Sequence, residues 1–347
     1  MDHIEADRIP MIETLFWPDT ITRWEKEGLK SGTDLIEYFT LDRLKHYFGI
    51  FDHTLLVTPE IIEDHDNYRI RRDRYGAVYK EKKNSFDAAV MLTPAIRDRQ
   101  DWNRVKDKLY VAESRFHERF VIEEAHKLSA NGAFITIETI EPMWFALNNT
   151  MSYEHGLCLM ACEPEFFEEV IAFYTDFIIG MLEICFEAGF RADALWFYSD
   201  MCYKTGPLFS PGSFRALAMG HLKRFRDFCD KYDLYLFWHC DGNIELLLPL
   251  LLEVGIDAIH PLEARAGNDV RELKKTYGSD LTFIGNINTD ILAGGDRSAI
   301  EDEVASKVVA AKKGGGYIYH TDHSVPSTVS LETYIFTLEM VRKYGKY

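Results

Sequence analysis

Short apolar or β-branched runs recur through the last two thirds of the chain, and polar residues follow most of them. Ala133-Phe134-Ile135-Thr136-Ile137, Ala194-Leu195-Trp196-Phe197-Tyr198 and Leu234-Tyr235-Leu236-Phe237-Trp238 have the length and residue types of strands. So do Ile256-Asp257-Ala258-Ile259, Leu281-Thr282-Phe283-Ile284 and Tyr317-Ile318-Tyr319. Between them lie longer stretches whose apolar residues stand three and four apart, as on one helix face. Pro164 opens the longest of these and Gly189 follows its end, which suits a proline in a first helical turn and a glycine past the last. Further helices are expected over 211–230, 244–254, 270–277, 298–312 and 331–344. Strict alternation at this period predicts an α/β fold, a (β/α)8 TIM-type barrel in preference to a doubly wound sheet.

The first 125 residues are less regular. Trp17, Trp24, Phe39, Tyr47, Phe48 and Phe51 are interleaved with polar residues, and the arginine-rich stretch from Tyr68 to Lys83 reads as a charged hairpin. With no low-complexity linker, the chain reads as one domain over 1–347. It has an irregular helical and hairpin part over 1–125 and regular β/α units over 126–347. No Gly-x-Gly-x-x-Gly or Walker-type loop occurs, and Gly314-Gly315-Gly316 precedes a strand, as a helix-to-strand turn does.

Charge narrows the partners. With 39 basic and 56 acidic side chains the formal charge is −17, so neither nucleic acid nor an anionic membrane is an expected partner. No run of about 18 apolar residues predicts a transmembrane helix. Met1-Asp2-His3-Ile4-Glu5 lacks the basic and apolar regions of a signal peptide. Cys158, Cys162, Cys185, Cys202, Cys229 and Cys240 contain no Cys-x-x-Cys pair, and reduced thiols in the cytoplasm are expected. Homo-oligomerisation stays open.

Three of the predicted strands lead into metal-type ligands: His239-Cys240-Asp241-Gly242, Glu263, and His320-Thr321-Asp322-His323. In parallel α/β folds the carboxyl ends of the strands carry the chemistry. Alternation puts His239 and Asp241 on one face, with Trp238 and Cys240 on the other. With Glu263 and His323 they make two carboxylates and two neutral imidazoles, which balance a dication. The bland alternative is a hydrogen-bonded cluster without metal. His323 falls at the Ser324-Val325-Pro326 turn and is expected to touch the ion, with His320 or Asp322 holding a ligand ring from behind; the reverse order of the two histidines stays open. Asp200, His320 and Asp322 are the candidate catalytic residues. Trp17, Tyr198 and Asn286 are the candidate substrate contacts, although Asn286 and Asn288 also suit a turn and most tryptophans suit a core.

Asp7-Arg8-Ile9-Pro10, Ser210-Pro211, His239-x-Asp241-Gly242-Asn243, Gly285-Asn286-Ile287-Asn288 and His323-Ser324-Val325-Pro326 resemble landmarks of the uroporphyrinogen decarboxylase superfamily. The resemblance covers most of the chain. It implies a (β/α)8 barrel with its site at the C-terminal mouth, and one of two chemistries. One is cofactor-free decarboxylation of porphyrinogens. The other is zinc-dependent methyl transfer among small molecules, thiols and corrinoid proteins. The decarboxylases carry an Arg-Gln-Ala-Gly-Arg motif that holds substrate carboxylates, whereas the equivalent region here reads Glu13-Thr14-Leu15-Phe16-Trp17-Pro18. Arginine forks are what a polycarboxylate needs. His239-x-Asp241, Glu263 and His323 instead resemble the methyltransferase zinc site, whose usual order is His-x-Cys, sometimes Glu, then Cys. Asp241 and His323 replace its thiolates, which admits Mn, Fe or Co beside Zn2+.

The expectation is a zinc-dependent methyltransferase moving a methyl group from a small O-, N- or S-methyl donor to a thiol or a corrinoid protein. No Asp-x-His-x-x-Gly stretch occurs, so any corrinoid would arrive on a partner protein. The alternative is a decarboxylase of a small carboxylic acid with Asp200 and the histidines in acid–base roles. A third reading is a barrel that binds a ligand without turnover. Metal content separates the first from the second.

Overall fold

The computed structural model describes residues 1–83, 89–116 and 120–347. Its strands are β1 (Leu44–Phe48), β2 (Glu60–Asp64), β3 (Tyr68–Arg72), β4 (Val78–Lys82), β5 (Val90–Thr93), β6 (Phe134–Ile140) and β7 (Ala194–Tyr198). They continue with β8 (Cys202–Tyr203), β9 (Gly206–Pro207), β10 (Tyr235–His239), β11 (Ala258–His260), β12 (Thr282–Ile284) and β13 (Tyr317–Ile318). Seven form one curled parallel sheet in the order β1-β6-β7-β10-β11-β12-β13. Each joins the sheet beside its predecessor, which is the winding of a TIM-type barrel.

Among the described residues the sheet has seven strands where eight were expected, and a three-residue seam joins its edges. The Ile12 N–H donates to Tyr319 O at 3.0 Å, and the Tyr319 N–H donates to Pro10 O at 2.9 Å. On the other side the Asp42 N–H donates to Met11 O at 2.8 Å. Pro10 has no N–H, which keeps the segment from a regular ladder. Asp42 completes the seam by accepting the Met11 N–H at 2.7 Å, while Arg8 grips both its oxygens. Asp42→Ala should therefore destabilise the fold by about 1–3 kcal/mol, the cost of an unpaired backbone donor, seen as a lower urea midpoint. An unchanged midpoint would mean that the seam bears no strain.

Period-2 alternation sorts the sheet's side chains into two layers. Ile12, Ala194, Trp196, Phe237, Ala258 and Ile284 pack together inside the curl. Leu195, Phe197, Leu236, Trp238 and Ile259 pack outward against the helices. The long helix Pro164–Glu187 buries Phe166, Phe167, Val170, Ile171, Tyr174 and Phe177 in that outer layer. Cys240 lies there too, on the face opposite His239 as expected.

β1 draws part of the irregular N-terminal stretch into the main sheet. The expected charged hairpin is β3–β4, paired from Tyr68↔Lys82 to Arg72↔Val78, within a separate antiparallel sheet of order β2-β3-β4-β5. Arg69 and Arg71 both donate to Glu81 at 2.9 Å, so these guanidinium groups are engaged within their own sheet. No helix among the described residues is long and apolar enough to cross a membrane.

Candidate metal centre and its adjoining cavity

Sheet register builds the site. His239 at the end of β10 is the Cα partner of Tyr198 on β7 and of His260 on β11. Strands about 4.8 Å apart carry such partners as stacked side chains. The Tyr198 and His239 rings lie 3.9 Å apart, tilted by 19°. The His239 and His260 rings lie 4.9 Å apart. The Cys240 N–H donates to His260 O at 3.0 Å and pins this register at the mouth.

Past His239 the chain turns at Gly242 (φ +87°), and Asp241 comes back beside the imidazole. One ligand atom each from Asp200, His239 and Asp241 lie within 4.8 Å of one another. His239 Nε2 is 3.3 Å from Asp200 Oδ1 and 3.9 Å from Asp241 Oδ1. The Asp241 N–H donates to Asp200 Oδ1 at 3.0 Å. His239 Nε2 and Asp241 Oδ1 are buried without a hydrogen-bond partner. Two unpartnered buried donor atoms with a second carboxylate beside them suit a cation, because burial without a partner is costly for each. The group could hold a metal ion.

The other expected ligands lie around this group. His323 Nε2 is 3.7 Å from Asp241 Oδ2. Glu263 Oε2 accepts the Gly242 N–H at 2.9 Å and braces the turn. Burial pushes Asp241 above the usual carboxylate range, and the charges of Asp200 and Glu263 add to it. Burial opposes the charged form of His323, but the carboxylates of Asp322, Asp241 and Glu263 outweigh it and raise its pKa. Asp322 is held below its ordinary value although burial alone would raise it, because His323 and Thr289 stabilise its charge.

A chain of imidazoles stands behind His239. His239 Nδ1 lies 2.7 Å from His260 Nδ1, and His260 Nε2 lies 3.4 Å from His320 Nε2. Its far end is fixed by backbone. His320 Nδ1 is 2.5 Å from Thr321 O, which only accepts, so that nitrogen carries the proton. His320 Nε2 is then bare and accepts the Thr14 N–H at 3.0 Å. A His260 Nε2–H facing that lone pair at 3.4 Å leaves His260 Nδ1 to accept from His239 Nδ1–H. In that arrangement His239 Nε2 is free of the relay and faces Asp200 and Asp241. Burial supports the neutral forms: it pushes His320 down to about 4 and His260 well below its usual value. Glu13, next to His320, is pushed up to about 8 by burial, against the pull of Thr321 and Tyr334.

His260 and Glu13 were not singled out in the sequence. The signal for His260 was its parity, two positions beyond Ala258. The candidate catalytic residues divide accordingly. Asp200 stands in the candidate metal group, and His320 ends the chain His239–His260–His320 behind it. Asp322 Oδ1 accepts the Thr289 N–H and O–H at 2.9 Å, and its Oδ2 accepts the Ala264 N–H at 3.2 Å, so it ties the mouth loops together behind His323. Asn286 is fully buried. Its amide accepts the Val270 N–H and donates to Leu262 O and Asn268 O, which uses its polar atoms within the loops. Trp17 is 45% exposed and lies outside the lining of the cavity.

A cavity of about 330 Å3 adjoins the group, with Phe51, Trp144, Phe145, Phe177, Glu138 and Tyr198 among its walls. Tyr198, stacked on His239, is the wall it shares with the candidate metal group. Glu138, on the inward face of β6, is pushed up to about 8 by burial and by the charge of Asp200.

No curated protein matches the chain at a significant level. Among solved structures it is similar to a methyltransferase from Methanosarcina mazei, with a TM-score of 0.60 and 15% identity over 97% of this chain and 94% of that one. A catalytic domain of the GH26 endo-beta-1,4-mannanase of Bacillus sp. JAMB-750 gives a TM-score of 0.39 and 12% identity over 97% of this chain and 93% of that one; at that score it carries no argument. The first shares the fold. The family described as Uroporphyrinogen decarboxylase (URO-D) matches residues 91–344, from β5 to the final helix. The chain belongs to the uroporphyrinogen decarboxylase (URO-D) family.

Proposed function

We propose that this protein is a metal-dependent methyltransferase that moves a methyl group from a small O-, N- or S-methyl donor to a thiol or to a corrinoid carried by a partner protein. The observation that carries the reading is the pair of unpartnered buried donors, His239 Nε2 and Asp241 Oδ1, beside Asp200 at the mouth of the barrel. His239, Asp241 and Asp200 would hold the ion; His323, 3.7 Å from Asp241, and Glu263, bound to the Gly242 N–H of the same turn, are the further candidates. Two carboxylates and neutral nitrogen suit Zn2+ and admit harder ions. When bound, the ion supplies positive charge that lowers the pKa of an acceptor thiol or polarises a donor oxygen.

The protein's own residues supply the rest. The imidazole chain keeps the Nε2 lone pair of His239 directed at the group. Tyr198 separates it from the apolar cavity. For a methyl ether and a thiol, the C–O bond breaks, a C–S bond forms and the thiol proton ends on the leaving oxygen. Decarboxylation of a polycarboxylate fits less well, because none of the described residues lining the cavity is Lys or Arg and such substrates need fork-like cations.

Elemental analysis of the purified protein should find about one divalent ion per chain, removable by chelator and restored by zinc. The same preparation should release no carbon dioxide from uroporphyrinogen. Metal-free protein that ignores zinc, or steady decarboxylation of that substrate, would overturn the reading.

A further inference from the structure

Two cysteines sit within two residues of the candidate metal ligands, and no step of the proposed chemistry uses either. Cys240 stands between His239 and Asp241, and Cys202 follows Asp200 by two positions. The two segments are laced together. The Asp241 N–H donates to Asp200 Oδ1 at 3.0 Å, and the Asn243 N–H donates to Tyr203 O at 2.9 Å. A Cβ on Gly242 would lie 2.9 Å from Cys202 Cβ, so the turn after Cys240 runs against Cys202 itself.

Both sulfurs are free, and both side chains pack with the outer layer of the sheet. Burial holds the Cys240 thiol protonated, and the Cys202 thiol, its hydrogen-bond neighbour, adds to that. Cys240 Sγ also donates to Asp241 O at 3.1 Å. The two differ in access: Cys240 is fully buried and Cys202 is half-buried.

We propose that Cys202 and Cys240 are a reversible dithiol–disulfide pair, closed by peroxide, whose closure loosens the candidate metal group. The pair itself rests on the geometry of the two segments; its effect on an ion rests on the metal-dependent reading. Cys202 Sγ, the accessible sulfur, attacks one oxygen of hydrogen peroxide. The O–O bond breaks, and a sulfenic acid and one water form. Cys240 Sγ then displaces the sulfenic oxygen: the S–O bond breaks, the S–S bond forms, and the Cys240 proton leaves in a second water. The peroxide is reduced, and each sulfur gives up one electron. Bonded sulfurs stand much closer than hydrogen-bonded ones. Closure therefore draws the two segments together and takes Cys240 Sγ off Asp241 O. A binding constellation tolerates shifts of only about 0.5 Å, and Asp200, His239 and Asp241 all ride on these two segments.

The test uses the full chain with Cys158→Ser and Cys162→Ser, because those two thiols are exposed and react on their own. After hydrogen peroxide, mass spectrometry of unreduced peptides should find Cys202 joined to Cys240, and a phosphine should release them. Zinc affinity, from competition with a chromophoric chelator, should fall at least tenfold on oxidation and return on reduction. Nitrogen NMR of the metal-free protein should show the His239 resonances shift on oxidation, a readout that needs no ion. Cys202→Ser, at the less buried of the two positions, should keep the parent's zinc affinity and lose its response to peroxide.

Peroxide that leaves both thiols free would overturn the proposal while the metal reading stands. So would a disulfide that moves neither zinc affinity nor the His239 resonances, or an undiminished response in Cys202→Ser. A disulfide that shifts the His239 resonances in a chain that takes up no zinc when reduced would sustain the pair and overturn the metal reading.

Discussion

His239→Ala should abolish tight zinc binding, and His260→Ala should weaken it by roughly 10–100-fold although His260 has no place in the metal group. The first substitution deletes the only nitrogen in that group. The second acts through proton placement. His260 Nδ1, 2.7 Å from His239 Nδ1, is the acceptor that keeps the proton on the far side of the ring. Without it, His239 is free to carry its proton on Nε2, facing Asp200 and Asp241, where a proton excludes a metal. His260→Gln, which offers both a donor and an acceptor, should recover part of the loss. Affinities come from competition with a chromophoric chelator. Nitrogen NMR of the metal-free protein supplies a readout that simple loosening would not move: His239 should be the Nδ1–H form in the parent and shift towards Nε2–H in His260→Ala. Equal affinity in parent and His260→Ala would sink the relay. His323→Ala should also cost tight binding if its imidazole, 3.7 Å from Asp241, completes the set, and His320→Ala should cost less.

Much of this arrangement could be read from period-2 alternation. His239 and Asp241 share a parity with Phe237 and Tyr235, and the structure puts Phe237 inside the curl while Trp238 and Cys240 pack outside. Alternation could not show which strand ends would meet. Asp200 is a candidate catalytic residue in the sequence. It joins the candidate metal group because β7 pairs with β10 in a register that sets Tyr198 against His239; the winding implies that the two strands are neighbours, but not that register.

β1 was missed for a related reason. Leu44-Lys45-His46-Tyr47-Phe48 mixes polar and apolar residues on both faces, since His46 points into the curl against Trp196 and hydrogen-bonds Thr136 at 2.7 Å. Near the mouth of a barrel the inner face is polar, so a strand there loses its apolar signature. Glu138 was hidden the same way, by a strand that runs on to Ile140 beyond its apolar start. The seam at Pro10–Ile12 has no strand pattern to read: its structure comes from the two edges it joins.

Gly242→Ala should destabilise the protein by about 2–4 kcal/mol and lower zinc affinity with it. Gly242 sits at φ +87°, and a Cβ there would lie 2.7 Å from both the carbonyl carbon and the oxygen of Cys202. Backbone at that distance cannot rotate away as a side chain can, so the turn or β8 must move. The turn is what returns Asp241 to His239, and its Gly242 N–H is the donor that Glu263 accepts at 2.9 Å. Movement there disturbs two carboxylates at once. Gly132→Ala is the control: its φ is +81° and nothing lies within 4 Å of the added Cβ. It should show only the conformational cost, about 1–2 kcal/mol, with zinc affinity unchanged. Chemical denaturation of the two variants, each with a zinc titration, separates strain from contact. Equal losses of stability and an unaltered zinc affinity in Gly242→Ala would show that the approach of Cys202 does not shape the site.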